Sequence, residues 1–495
     1  MWIASRRGFL KGCAALAAGS SWLRSLAAAA VGLEEKPDSA PPGGTGLALL
    51  GKVAARPSAT IAASPLGVGF ETLDRQMFVP ERTYQHLAQL GVKWARCQTG
   101  WARTETRPGA YDFAWLDSVV DALRKIGVQP WFNLGYGNRL YTPDAADATA
   151  VGWAPVFSPE AREAWARYTR AIAQHYRDRV QHWEIWNEPN IKSFWQPRNP
   201  SPDDYVELVK LTAPIITQRV PNAVIVAGAF SRMPTEYLQR CLELGLGDYV
   251  HKVSYHPYRA IPEGECTKSL TAYEREVAQW RELLRKHKPG LELWQGENGA
   301  PSQDGTAGAL SQYHWTETRQ AKWVTRRILS DLRLKLELTS YFHMVDMVNY
   351  VTTKGPSGKT NFKGLLRGSD YTPKLSYFAY QCLCALFDAQ TVRVDLPLEL
   401  PTAETAKAVT AAFVRNGRPI YAYWLPADLN EQIPTRPIDI TIPDAKQAPL
   451  TDPVLIDPLT AGVHRLASAK QQGGAWKITA PVADYPLLLA DRRVM

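Results

Sequence analysis

Two glutamates each close a separate apolar run. Glu188 ends Val180 to Asn190 (VQHWEIWNEPN), and Glu297 ends Leu291 to Gly299 (LELWQGENG). The first run alternates, is rich in aromatic residues and halts at Pro189, which cannot donate to a strand ladder. Glu188 is therefore expected on the C-terminal rim of a buried strand. Asn298-Gly299 is a turn signal that stops the second run in the same way. Two carboxyl groups facing each other across a sugar are what glycoside hydrolysis requires. One gives a proton to the leaving oxygen, and the other attacks carbon or activates water. Taken singly, each glutamate reads as well as an exposed residue at a strand end. The pair favours chemistry.

Short apolar runs and amphipathic segments alternate around these glutamates. The runs are Leu66 to Phe70, Val92 to Cys97, Val128 to Leu134, His182 to Trp186, Ala223 to Ala229, Val250 to Tyr255, Leu291 to Trp294 and Ser340 to Met344. Helical periodicity marks Trp115 to Ile126, Pro159 to Tyr176, Pro202 to Arg219, Leu270 to Lys288 and Glu317 to Leu334. Strand then helix, repeated eight times, predicts an α/β fold, a (β/α)8 TIM barrel over residues 63–388, with its active site where the strands end. Both glutamates fall on that face, on the fourth and seventh strands. From residue 389 to 495 the pattern changes to short β-prone runs: Thr391 to Leu396, Ala408 to Asn416, Arg418 to Leu425, Ile438 to Ile442, Pro453 to Asp457, Trp476 to Ala480 and Leu487 to Ala490. These predict a small C-terminal antiparallel β-sandwich. Its expected role is support, because most tryptophans precede it; carbohydrate binding is the alternative.

The N-terminus reads Ser5-Arg6-Arg7-Gly8-Phe9-Leu10-Lys11, then an Ala-rich apolar stretch ending Ala28-Ala29-Ala30. This resembles a twin-arginine signal peptide over residues 1–30, which implies the twin-arginine export machinery as a partner and a periplasmic or secreted protein. Residues 31–62, rich in Pro, Gly, Ala and Ser, are expected to be a flexible linker. The formal charge of +9 falls to +5 without the four cations of that signal. No Lys/Arg cluster interleaved with aromatics points to nucleic acid, although an acidic polysaccharide fits a positive chain. Beyond the signal no run reaches the ~18 apolar residues of a membrane span, so no stable membrane anchor is expected. The six cysteines lack metal-ligand spacing with histidines, so neither a metal nor a cofactor is expected. Cys382 and Cys384 read as core residues of an apolar helix, and Cys241 with Cys266 could form a disulfide. Seventeen tryptophans and 21 tyrosines exceed ordinary packing needs, and stacking on sugars would use the surplus, although core filling must account for most of them.

Over residues 65 to 385 the chain resembles a clan A retaining glycoside hydrolase, close to family 39 and more distantly family 5. The motifs are GVKWARCQTGWARTETRPGAYDFAWLD from Gly91 to Asp117, WEIWNEPN from Trp183 to Asn190 followed by Phe194-Trp195, His256-Pro257-Tyr258, and the Glu297 strand end. A barrel followed by a β-sandwich also fits family 39. The resemblance implies Glu188 as acid/base and Glu297 as nucleophile of an O-glycosidase acting on an oligosaccharide or polysaccharide. Asn187 would bind the sugar 2-hydroxyl. Arg96 would favour the ionised nucleophile, or else pair with the deeper Glu184. Tyr258 would donate to Glu297, and His256 would line the same rim. The chain departs from family habit at Asn298, where an aromatic is usual and where Glu-Asn-Gly resembles family 1. It departs again at Phe342-His343, where many clan members place a tryptophan. Tyr136, Trp153, Trp195, Trp315 and Tyr350, on loops that follow strands, are candidate subsite residues. A transglycosylase, or a carbohydrate-binding protein without catalysis, would use the same scaffold.

Overall fold

The computed structural model describes residues 45–264, 272–401, 405, 407–428 and 435–495. The expected export signal and Cys266 lie outside them. Eight parallel strands close a barrel: β1 (Leu66–Gly69), β2 (Trp94–Gln98), β3 (Gln129–Leu134), β4 (His182–Ile185), β5 (Val224–Ser231), β6 (Lys252–His256), β7 (Glu292–Asn298) and β8 (Leu338–Tyr341). Closure is made where Gly67 of β1 pairs with Ser340 of β8. The expected barrel and its strand count are both present. The helices between the strands start where the sequence supplies caps. Ser158, Ser201 and Thr316 each accept a backbone N–H of the first turn at 3.1–3.2 Å, and Pro159 and Pro202 occupy first helical positions that need no donor.

Strand alternation stacks the barrel interior in layers. At the N-terminal end Trp131, Val226, Trp294 and Leu338 form an apolar plug of their own, with Trp94 against it. His182 stacks on Trp294 at 5.4 Å. Two residues further along each strand, the inward positions become Arg96, Asn133, Glu184 and Ser254, a buried polar layer below the rim. Nine tryptophans are fully buried, so most of the aromatic surplus fills the core.

The C-terminal region contains two antiparallel sheets. One orders its strands as Leu49–Lys52, Gly462–Arg465, Pro453–Asp457, Leu487–Asp491, Arg418–Trp424, Val409–Arg415 and Thr391–Val394; in the other Ala475–Val482 is central, paired on one side with Arg436–Pro443 and on the other with Ser468–Gln472. The first of these strands corrects the expected linker. Residues 49–52 pair with Gly462–Arg465, and Ser58–Thr60 forms a short helix beneath Leu87, so the segment is built into the fold from residue 45. Averaging composition over residues 31–62 hid a four-residue strand whose partner lies some 400 residues away.

A buried ion pair joins barrel to sandwich. Arg326, on the helix Glu317–Arg333, holds Glu263 through two hydrogen bonds of 3.0 and 2.6 Å and also donates to the Ala427 carbonyl at 2.9 Å. Trp424 donates to the same Glu263 carboxylate at 2.7 Å. No helix among the described residues is long and apolar enough to cross a membrane. Arg326→Ala would leave Glu263 buried without its cation, and a loss of about 3–5 kcal/mol is expected in urea unfolding at pH 7.

Candidate active site

Arg96 projects from β2 into the barrel mouth, fully buried, and each of its nitrogens has a hydrogen-bond partner. Nε and Nη2 reach Glu184 Oε2 at 2.7 and 2.6 Å, and Nη2 also donates to Asn187 Oδ1 at 2.9 Å. Nη1 donates to Glu297 Oε2 at 2.7 Å and to Glu71 Oε1 at 3.1 Å. One guanidinium thus ties the interior Glu184 to the rim carboxylate Glu297. Glu184 is further held by Asn133 Nδ2 at 3.1 Å and the Ser254 hydroxyl at 2.5 Å.

The chain reaches Glu188 through strained backbone. After β4, Trp186 and Glu188 both adopt left-handed conformations, with φ of 70° and 45°. Such conformations cost about 1–3 kcal/mol each in non-glycine residues and persist only where surroundings over-determine them. Here Glu188 N–H is pinned to the Ala229 carbonyl at 2.9 Å, and Asn190 is locked to Ser231 by reciprocal bonds of 3.0 and 2.9 Å. On β7 the pairing with β8 slips between Gln295 and Asn298, and at that slip Glu297 turns into the same mouth.

His256, the last residue of β6, stands between the two glutamates. Its Nδ1 lies 3.0 Å from Glu188 Oε1 and 3.7 Å from Glu297 Oε2, so those two contacts laid end to end are the upper limit on the separation of the oxygens. Burial lowers the imidazole to about 4, which leaves it neutral near pH 7. Burial also raises Glu188 to about 7, against the opposing pull of Arg96. Tyr258 donates to Glu297 Oε1 at 2.8 Å and stays a phenol, because burial and that carboxylate hold its hydroxyl well above the usual range.

A family model described as Glycosyl hydrolases family 39 matches residues 84–348, more than half of the chain. The chain belongs to glycoside hydrolase family 39. Among curated proteins, it is 25% identical over 190 residues to a β-xylosidase of Geobacillus stearothermophilus, covering 36% of each chain. It is 24% identical over 361 residues to a β-xylosidase of Caldicellulosiruptor saccharolyticus, covering 67% of this chain and 66% of that one. The matches thus span from about a third to just under two thirds of those relatives. Among solved structures, a family 39 glycoside hydrolase from Bacteroides cellulosilyticus WH2 superposes with a TM-score of 0.65 at 21% identity, covering 86% of this chain and 81% of that one. A monomeric β-xylosidase of Caulobacter crescentus CB15 superposes with a TM-score of 0.59 at 17% identity, covering 90% and 98%. These two likenesses concern the fold.

The family 39 barrel brings Glu188, Glu297, Asn187, Arg96, His256 and Tyr258 to one rim. Trp195, expected to touch substrate, is instead fully buried, its ring 6.0 Å from both Trp186 and Tyr205, where it supports the loop after β4. Its place immediately after the glutamate loop made it look exposed, but that loop folds back over it. Trp315 is buried too and donates to Leu310 within its own loop, while Trp153 bridges to Gln196 and is half-buried. Tyr136 and Tyr350 lie near enough to feel the Glu297 charge. Cys241, Cys382 and Cys384 are buried and free.

Sequence reasoning missed Glu71. It follows Leu66 to Phe70, so the rule that found Glu188, a carboxyl ending an apolar run, applied equally. Gly69 makes room for it, since a Cβ there would occupy the position of Glu71 Oε2. Gly69→Ala is expected to displace this walled-in carboxyl and to cost about 1–3 kcal/mol in thermal or urea unfolding, as overpacking of a filled core does.

Proposed function

We propose that the protein hydrolyses a β-glycoside of an oligosaccharide or polysaccharide with retention of configuration, Glu188 acting as acid/base and Glu297 as nucleophile. The observation that carries this reading is the pair of carboxyl groups meeting at one imidazole nitrogen in dissimilar surroundings. Glu188 keeps a proton up to about pH 7, as an acid must. Glu297 accepts from a guanidinium and a phenol, the contacts suited to an anion that attacks. The two carboxyl oxygens at His256 lie no farther apart than their imidazole contacts laid end to end, a limit that admits the about 5 to 5.5 Å of retaining enzymes.

In the first step Glu188 protonates the glycosidic oxygen as Glu297 bonds to the anomeric carbon, and the aglycone leaves. In the second, Glu188, now a base, takes a proton from water that displaces Glu297. Asn187 is fixed through its Oδ1 by Arg96, which leaves its Nδ2 donors for the sugar 2-hydroxyl. β-Xylosides are the first substrates to test, because both curated relatives are named β-xylosidases. Residues 1–30 would direct export of the folded protein through the twin-arginine route.

Glu188→Ala is expected to lower kcat/KM on an unactivated aryl β-xyloside by about 10²–10⁴-fold, with azide restoring turnover and yielding the β-azide. Glu297→Ala is expected to lose at least as much, without that rescue. Mass spectrometry after inactivation by a 2-deoxy-2-fluoro xyloside should find the sugar on the Glu297 peptide, and a label elsewhere refutes the nucleophile. The alkaline limb of kcat/KM should fall near pH 7, where Glu188 loses its proton.

A further inference from the structure

Three carboxyl groups share one buried cation at the barrel mouth, and their contacts are unequal. Glu184 receives Arg96 Nε, Asn133 and Ser254, and Arg96 Nη2 lies 2.6 Å from it as well. Glu297 receives Arg96 and Tyr258 and is the only one of the three with appreciable solvent access. Glu71 receives Arg96 only at 3.1 Å, the longest of the guanidinium's contacts, and its Oε2 is buried with no hydrogen-bond partner. Three ionised carboxylates against one guanidinium would leave two uncompensated negative charges, and for Glu71 and Glu184, which are walled off from water, the cost is several kcal/mol per charge. Glu71 is the group least equipped to carry one of them.

Resting on the glycosidase reading above, we propose that Glu71 is a positioning residue that retains a proton under working conditions, so that the Nη1 donors and the charge of Arg96 are kept for Glu297. Burial, reinforced by the Glu297 charge and opposed by Arg96, raises the Glu71 carboxyl to about 8. The ionisable groups that face it are Arg96 and Cys97 on β2, Glu297 on β7, and His343 and Tyr350 beyond β8. His343 is neutral near pH 7, lowered by burial to about 4, and its Nε2 lies 3.1 Å from the Glu71 carbonyl oxygen. None of these supplies Glu71 with a second cation. When Glu71 ionises, a second anion competes with Glu297 for Nη1, and the nucleophile loses its undivided partner.

The sign of the linked stability follows from the raised value. Glu71 contributes its full stabilisation below about 4.5, and that contribution is lost as pH rises to about 8. Glu71→Gln, a neutral isostere of the protonated acid, removes this loss. The difference in Tm, variant minus wild type, should therefore grow between pH 5 and pH 8 and level off above. A difference that stays flat or shrinks overturns the proposal. Infrared titration reads the proton directly. A protonated carboxyl C=O stretch should fade between pH 6 and 9 in the wild type and be missing from Glu71→Gln, and identical spectra of the two overturn the proposal.

Activity supplies an independent arm. In a Glu188→Ala background, a 2,4-dinitrophenyl β-xyloside needs no proton donor, so a falling limb centred near pH 8 should remain and should vanish on adding Glu71→Gln. A limb that persists unchanged overturns the proposal. Glu71→Ala should lower kcat about tenfold or more with Glu71→Gln restoring most of it, as loss and replacement of a neutral hydrogen-bond acceptor predict. Should no aryl glycoside be turned over at all, the glycosidase reading falls, while the Tm and infrared measurements still decide the state of Glu71.

Discussion

Arg96 is one buried guanidinium whose three nitrogens are divided among Glu184, Asn187, Glu71 and Glu297. A charge taken fully out of water is tolerated only where it is paired and its donors are satisfied. That requirement couples four strands. Glu184 arrives from β4, Glu71 from the end of β1 and Glu297 from β7, and each must reach the same cation on β2. The barrel's closure and register are thereby tied to the shape of its mouth. A lysine could not substitute, because a point charge lacks the planar fork that meets several acceptors at fixed angles.

The rim glutamates occupy positions that regular backbone would not give them. Glu188 sits in a left-handed conformation pinned to Ala229, and Glu297 turns at a slip in the β7–β8 ladder. Both departures lie next to proposed chemistry, where strain and irregular pairing are commonly retained. Beneath them, a floor of tryptophans at the opposite end of the barrel supplies rigid packing, so the polar layer rests on a surface with little freedom to yield.

Electrostatics then divides labour among like groups. Four carboxyl groups, Glu71, Glu184, Glu188 and Glu297, crowd one mouth, and their differences come from burial and donor count. Glu188 is raised by loss of water while adjoining a neutral imidazole, and Glu71 is raised further by burial and by the Glu297 charge, against the pull of Arg96. Identical side chains thus acquire separate tasks from their surroundings alone.

Much of this was legible in the chain. Short apolar runs alternating with amphipathic segments predicted eight strands and a barrel, and apolar runs ending in Glu188 and Glu297 placed both on one rim, because strand direction is set by local sequence. The pairings that depend on distant partners were not legible. Residues 49–52 read as linker since their ladder lies with Gly462–Arg465; Trp195 read as a substrate contact since its burial is decided by how a loop folds back. Glu71 carried the same local mark as the two glutamates, yet its proton and its contact with Arg96 arise only when β1, β2 and β7 meet. Sequence determined which residues end which strands. Tertiary structure alone decided how one cation would be shared among them, because charge balance is a property of the space they enclose.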